Sequence, residues 1–162
     1  MSALLDVVRD VKGPRPVLTR EAEEALTARQ RELLDTLHAV FANGFAHLTM
    51  AEIAATLSCS LRTLYGLAPS RDELVLMVVD RDLWRIGRAA MAAVEPDMQP
   101  LDAIRSYLRA ANIAVADTTE AFAADAAADP RTNALNPAHS NYLIDVTRAV
   151  LDLAVHRGDI DD

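Results

Sequence analysis

An all-α fold is predicted from three observations. Apolar residues recur at three- and four-residue steps along most of the 162 residues, which is the spacing of a helix face. Ala, the best helix former, is abundant, while Gly is limited to five residues and β-branched runs are few. Two Ser/Thr-x-x-Glu capping boxes, Thr49 with Glu52 and Ser70 with Glu73, mark helix starts directly before apolar-periodic stretches. With three Phe, three Tyr and one Trp, the core of such a protein is mostly aliphatic.

Taken in order, residues 1–18 form an N-terminal arm ending in Lys12-Gly13-Pro14-Arg15-Pro16, a linker composition. Leu4, Leu5, Val8 and Val11 can line one short helical face. The arm reads either as a loose terminus or as a basic segment (Arg9, Lys12, Arg15, Arg20) reaching a nucleic-acid groove. Thr19 caps the first helix, with Glu21, Glu23 and Glu24 near its N-terminus. Leu33, Leu34, Leu37, Val40 and Phe41 continue it, and Asn43-Gly44 stops it. Thr49 opens a short helix with Ile53, Ala54 and Leu57 inward. Ser58-Cys59-Ser60 is a tight turn, and Ser60 caps a third helix from Leu61 to about Leu67, which Pro69 ends. Cys59 reads as a small buried hydrophobe or as a thiol beside that turn. Two short helices joined by a tight turn and packed on a longer one describe a helix-turn-helix. In that motif the second helix presents its N-terminal side chains to base edges, here Leu61, Arg62 and Thr63, with Tyr65 a turn further on. Arg suits guanine, Thr a base or a phosphate, and Tyr a phosphate.

Ser70 opens a long helix to about Val94, apolar over much of its circumference (Leu74, Met77, Val78, Leu83, Trp84, Ile86, Met91) and ended by Glu95-Pro96. Pro100 starts the next, to about Ala116. Asp117 with Glu120 caps an Ala-rich helix up to Asp129-Pro130, residues 130–136 form a loop, and Asn136-Pro137 opens a last helix stopped by Gly158.

The order LLDTLHAVFANGF, LTMAEIAATLSCS, TLY and PSRDEL resembles the N-terminal DNA-binding domain of the tetracycline-repressor (TetR) family of bacterial transcription regulators. The resemblance rests on Phe41, Gly44-Phe45, the Thr49 cap, Ile53-Ala54, Thr63-Leu64-Tyr65 and Pro69-Ser70-Arg71. Four differences stand out: Ser58 where the family turn carries Gly, Arg71 where Lys is usual, Gly66, Leu67 and Ala68 where an aromatic or His pair follows the Tyr, and Leu61 at a position that normally faces DNA. The resemblance implies a helix-turn-helix DNA-binding domain over 19–71, followed over 72–162 by a helical regulatory domain that binds an effector and dimerises. Its DNA-facing residues would be Thr49, Ser60, Leu61, Arg62, Thr63, Tyr65 and Arg71, with Tyr65 and Arg71 on phosphates. The implied partners are a double-stranded DNA operator, a small-molecule effector and a second copy of the chain. By linkage, an effector that favours one tilt of the helix from Ser70 changes the spacing of two heads that must match half-sites about 34 Å apart.

Met77, Arg81, Trp84, Arg88, Tyr107, Asn112, Phe122 and Tyr142, with His139, are the polar-tipped or aromatic residues from which an effector site could be built; ordinary core packing with solvated arginines is the competing reading. The closing LDLAVHRGDIDD resembles the end of the family's seventh helix. The two further helices that form the usual dimer interface do not follow, so this is either a fragment or a chain that pairs elsewhere. The first faces to consider are Leu143, Val146 and Val150 and the surface around Ile113.

Net charge is −8, distributed unevenly along the sequence. Residues 1–71 carry eight basic and eight acidic side chains, and residues 72–162 carry eight and sixteen. The acidic excess thus follows the helix-turn-helix in sequence, which permits that segment to approach phosphates. One Cys excludes an internal disulfide. His38, His47, His139 and His156 have no metal-ligand spacing, no glycine-rich phosphate loop exists, and no nucleophile-base set is legible, so neither a cofactor nor enzymatic chemistry is expected. No apolar run approaches the roughly 20 residues that span a bilayer, and Asp6, Arg9 and Asp10 interrupt any early apolar stretch; a cytoplasmic protein is expected. The alternative is a ligand-binding or scaffold protein of the same fold that has lost specific DNA recognition, for which Leu61, Gly66 and Ala68 speak.

Overall fold

The computed structural model describes residues 2–161, and among them every regular element is helical. In chain order these are α1 Ala3–Asp10, α2 Arg20–Ala25, α3 Ala28–Phe41, α4 Met50–Thr56, α5 Leu61–Tyr65, α6 Arg71–Ala92, α7 Pro100–Ala116, α8 Glu120–Ala128, α9 Pro130–Asn133 and α10 Leu135–Arg157. The chain divides into two compact units. One holds Arg15–Asp82 together with Thr118–Leu135 and takes the label helix-turn-helix unit from the motif expected at α4 and α5. The other holds the residues up to Pro14, Leu83–Asp117 and the chain from Asn136 onward. This division differs from the sequence-based one at residues 18 and 71. Residues 2–14 of the arm belong to the second unit, where Leu4 and Val8 are buried, and α8 with α9 belongs to the helix-turn-helix unit, where Phe122 of α8 and Thr132 of α9 are buried.

In the helix-turn-helix unit, Leu33, Leu34, Leu37 and Phe41 of α3, Ile53 of α4, Leu64 of α5, and Leu74, Val75 and Val78 of α6 are almost fully buried. Each such side chain contributes about 1.5–3 kcal/mol by leaving water. Phe45 packs at 5.1 Å on Phe41 and edge-on at 5.4 Å on Phe122 of α8. The second unit's core gathers Leu4 and Val8 of α1, Ile86 and Ala90 of α6, Ala103, Tyr107 and Ala111 of α7, and Val146 and Val150 of α10. The arm thus carries a helix with the expected apolar face, and Leu4 and Val8 complete a core, so it is not the loose terminus that one of its two readings expected.

Local signals explain where the helices differ from expectation. Thr19 accepts the Ala22 N–H, but α2 ends after six residues. A capping box at Thr27 and Gln30 starts α3 afresh, so the single helix expected from Thr19 to Phe41 is two. Thr119, not Asp117, caps α8, accepting the Phe122 N–H at 3.2 Å, while Asp117 closes α7. The expected loop over 130–136 contains α9, because Asp129 accepts the Arg131 N–H ahead of a Pro in the first turn. At Ser70 only half of the predicted capping box forms: Ser70 Oγ accepts the Glu73 N–H at 3.1 Å, while the Glu73 carboxylate pairs with Arg131.

The turn between α4 and α5 is a Schellman closure, with Cys59 N–H donating to Ala54 O and Ser58 N–H to Ala55 O. It requires a left-handed residue, and Ser58 adopts φ +51°. A non-glycine residue there bears about 1–2 kcal/mol of local strain. Ser58→Gly is therefore expected to stabilise the protein by about 0.5–1 kcal/mol. The check is a higher urea midpoint at unchanged slope; a lower midpoint would show that the serine side chain contributes more than its backbone costs.

Candidate functional site

α4 and α5 pack on one another across this turn. Thr49 Oγ1 accepts the Glu52 N–H at 3.3 Å while the Glu52 carboxylate accepts the Thr49 N–H at 2.8 Å. These bonds from the Thr49 backbone and then its hydroxyl hold the Glu52 carboxyl below the usual carboxylate range. Ser60 caps α5 by accepting the Thr63 N–H at 3.1 Å, and the two hydroxyls lie 2.8 Å apart. Leu64 is buried, whereas Leu61 is 44% and Tyr65 53% exposed and Arg62 lies on the surface. Of the seven predicted DNA-facing residues, α5 thus presents Leu61, Arg62 and Tyr65 outward. Thr49, Ser60 and Thr63 use their hydroxyls inside the two caps.

Arg71 is engaged elsewhere. Its Nε donates to Leu48 O at 2.6 Å, and one terminal nitrogen donates to Phe45 O at 2.7 Å and Ala46 O at 3.2 Å. The other lies 3.3 Å from Asp72. From the opposite side of the same loop, Asp125 of α8 accepts the Phe45 N–H at 2.6 Å and the Ala46 N–H at 2.8 Å. Gly44, at φ +91°, lies against that carboxylate: a Cβ there would meet Asp125 Oδ2 at 3.1 Å. Gln30 further ties α5 by donating to Gly66 O at 3.2 Å. The segment entering α4 is thus held by a cation on its carbonyls and an anion on its amides. Sequence reasoning missed Asp125 and Gln30. The available signals were a lone carboxylate in the Ala-rich stretch 121–128 and the spacing of Thr27 and Gln30.

Charge changes meaning once counted by unit. The helix-turn-helix unit carries eight basic and thirteen acidic side chains, a net −5, and the second unit carries eight and eleven, a net −3. The acidic excess predicted for the C-terminal part is shared. α8 and the first half of α6 bring carboxylates into the helix-turn-helix unit.

The effector candidates separate. Met77, Arg81 and Phe122 lie in the helix-turn-helix unit. There Met77 is buried, Arg81 pairs with Glu23 and with Asp35 at 3.0 Å, and Phe122 packs on Phe45 and on His38. Arg88 and Asn112 are exposed in the second unit. Trp84, Tyr107 and Tyr142, with His139, come together in that unit. The Trp84 ring meets His139 edge-on at 5.2 Å and Tyr142 at 5.9 Å. Burial first, then the neighbouring Tyr142, pushes the Tyr107 hydroxyl well above the usual phenol range, so it is a neutral donor at physiological pH. Two open surface grooves of the same unit, about 450 Å³ beside Ser2, Leu5, Arg9 and Asp97 and about 280 Å³ beside Gln99, Leu101 and Arg105, include none of the eight candidates.

No protein-family model, curated protein or solved structure matches the chain. Among the described residues no helix is long and apolar enough to cross a membrane.

Proposed function

We propose that the chain is a DNA-binding transcriptional regulator, a repressor released from its operator by a small-molecule effector and acting as a homodimer. The observation that carries this reading is the α4–turn–α5 pair: α5 buries Leu64 against the unit and turns Leu61, Arg62 and Tyr65 to solvent. Such a helix offers a bidentate donor to a base edge and a hydroxyl to a phosphate. By reciprocity, an effector that binds the DNA-free state more tightly weakens operator affinity by the factor that DNA weakens the effector's. For pairing, Val146 and Val150 are core residues and Leu143 is half-buried, so they are poor first choices for a dimer face. Among the described residues, Leu108, Ile113, Val115, Ile144 and Leu151 are the large apolar side chains that α7 and α10 expose.

A second reading, a protein of this fold without specific DNA recognition, is favoured by the net −5 of the unit and by apolar Leu61 at the exposed start of α5. Selection of bound duplexes from a random pool, followed by sequencing, separates the two. A palindromic enriched site supports a dimeric regulator, and an unenriched pool supports the second reading. On the enriched site Arg62→Ala is expected to cost about 1–3 kcal/mol and to relax one base position. Equal losses on specific and random duplexes would reduce Arg62 to a phosphate contact.

A further inference from the structure

The second unit contains two buried hydrogen-bond donors that no described residue satisfies, the Trp84 indole Nε1–H and the Tyr107 hydroxyl. Tyr107 is only 2% exposed. Buried polar groups are nearly always paired, so two in one unit call for an occupant. Tyr142 links them: its ring lies 5.9 Å from the Trp84 ring, and it packs against the core that holds Tyr107. Gly13 closes one edge of the indole, where a Cβ would come within 2.6 Å of the ring. The core that Tyr107 joins is built from apolar side chains such as Ile86, Ala111 and Val146.

We propose that this aromatic cluster binds a neutral, largely apolar small molecule through a carbonyl-type acceptor held by Trp84 Nε1–H and the Tyr107 hydroxyl. Both orphaned groups can donate, so the complementary ligand atom is an acceptor. Burial disfavours ionisation of Tyr107 and the core it joins is apolar, so a ligand charge beside it would be desolvated without compensation. A ketone, ester or lactone on a hydrocarbon frame fits; an alcohol fits less well, because its own hydrogen would need an acceptor. This assignment rests on the effector reading for what binding achieves, and on the orphaned donors alone for the binding itself.

The test uses the full chain without DNA. Methyl ketones of five to ten carbons are titrated against the matching 2-methyl-1-alkenes, in which the carbonyl oxygen is replaced by CH2, and against carboxylates of equal length. Calorimetry and thermal shift give affinities, and Trp84, the sole tryptophan, reports by its emission. The expected result is a ketone binding at least tenfold more tightly than its alkene and its carboxylate. Tyr107→Phe and, read calorimetrically, Trp84→Phe should each reduce that preference at least fivefold while leaving alkene affinity in place. Either variant suffices should the other fail to fold. Equal binding of ketone and alkene, tighter binding of the carboxylate, a preference that survives both substitutions, or no ketone binding up to its solubility would each overturn the assignment. Ketone binding that leaves DNA affinity unchanged would remove the effector reading and keep the site.

Discussion

Asp125→Ala should destabilise the helix-turn-helix unit by about 3 kcal/mol, the order expected for hydrogen bonds to a charged group whose loss strands a buried partner. A single carboxylate oxygen accepts both the Phe45 and the Ala46 N–H. Phe45 is 2% exposed, so its amide cannot turn to water when the carboxylate is removed. Asp125→Asn retains an acceptor oxygen and is expected to recover about half of the loss, since the charge-assisted part goes while the bond geometry survives. The readouts are urea unfolding and hydrogen exchange at the two amides, which should become the fastest-gaining positions of the loop. Unchanged exchange at Phe45 and Ala46 would show that the loop holds itself. The same contacts predict that a fragment ended at residue 82 is less stable than the intact unit. It would lack both Asp125 and Thr119, whose hydroxyl bonds Ala42 O.

The all-α class and most helix positions were legible because they depend on local signals. Apolar spacing, the Thr49–Glu52 box, the glycine at φ +91° after α3 and Gly158 at φ +74° after α10 each act within a few residues of themselves. The break between α2 and α3 was legible in principle, since Thr27 and Gln30 have capping-box spacing, but continuous helical spacing masked it. What local signals could not carry was the assignment of segments to units. α8 looks like any Ala-rich helix until Asp125 meets a loop 79 and 80 residues earlier. The charge argument failed for the same reason: dividing the chain at residue 71 separates carboxylates from the unit they fold into. The effector candidates were chosen by residue type and sequence neighbourhood. Type alone could not distinguish Arg81, paired with Glu23 and Asp35, from Trp84, whose indole N–H has no partner among the described residues.

Arg71 separates two roles that residue type cannot. As a phosphate contact, its loss would weaken every duplex alike and flatten the salt dependence of binding by about one unit. The structure engages its guanidinium on Phe45 O, Ala46 O and Leu48 O, with Asp72 beside the remaining nitrogen. Arg71→Ala is therefore expected to lower stability by about 2–3 kcal/mol, because several carbonyls lose a charge-assisted donor together. Arg71→Lys should recover less than half. An ammonium is a point donor and cannot reproduce the planar fork that reaches carbonyls on either side of the loop. The salt slope of DNA binding should stay that of the parent protein, with any affinity loss arising from displacement of α4 and α5. A slope that falls by about one unit at unchanged stability would instead return Arg71 to the phosphates. In that event the loop entering α4 would depend on Asp125 alone, and Asp125→Ala combined with Arg71→Ala would cost no more than Asp125→Ala by itself.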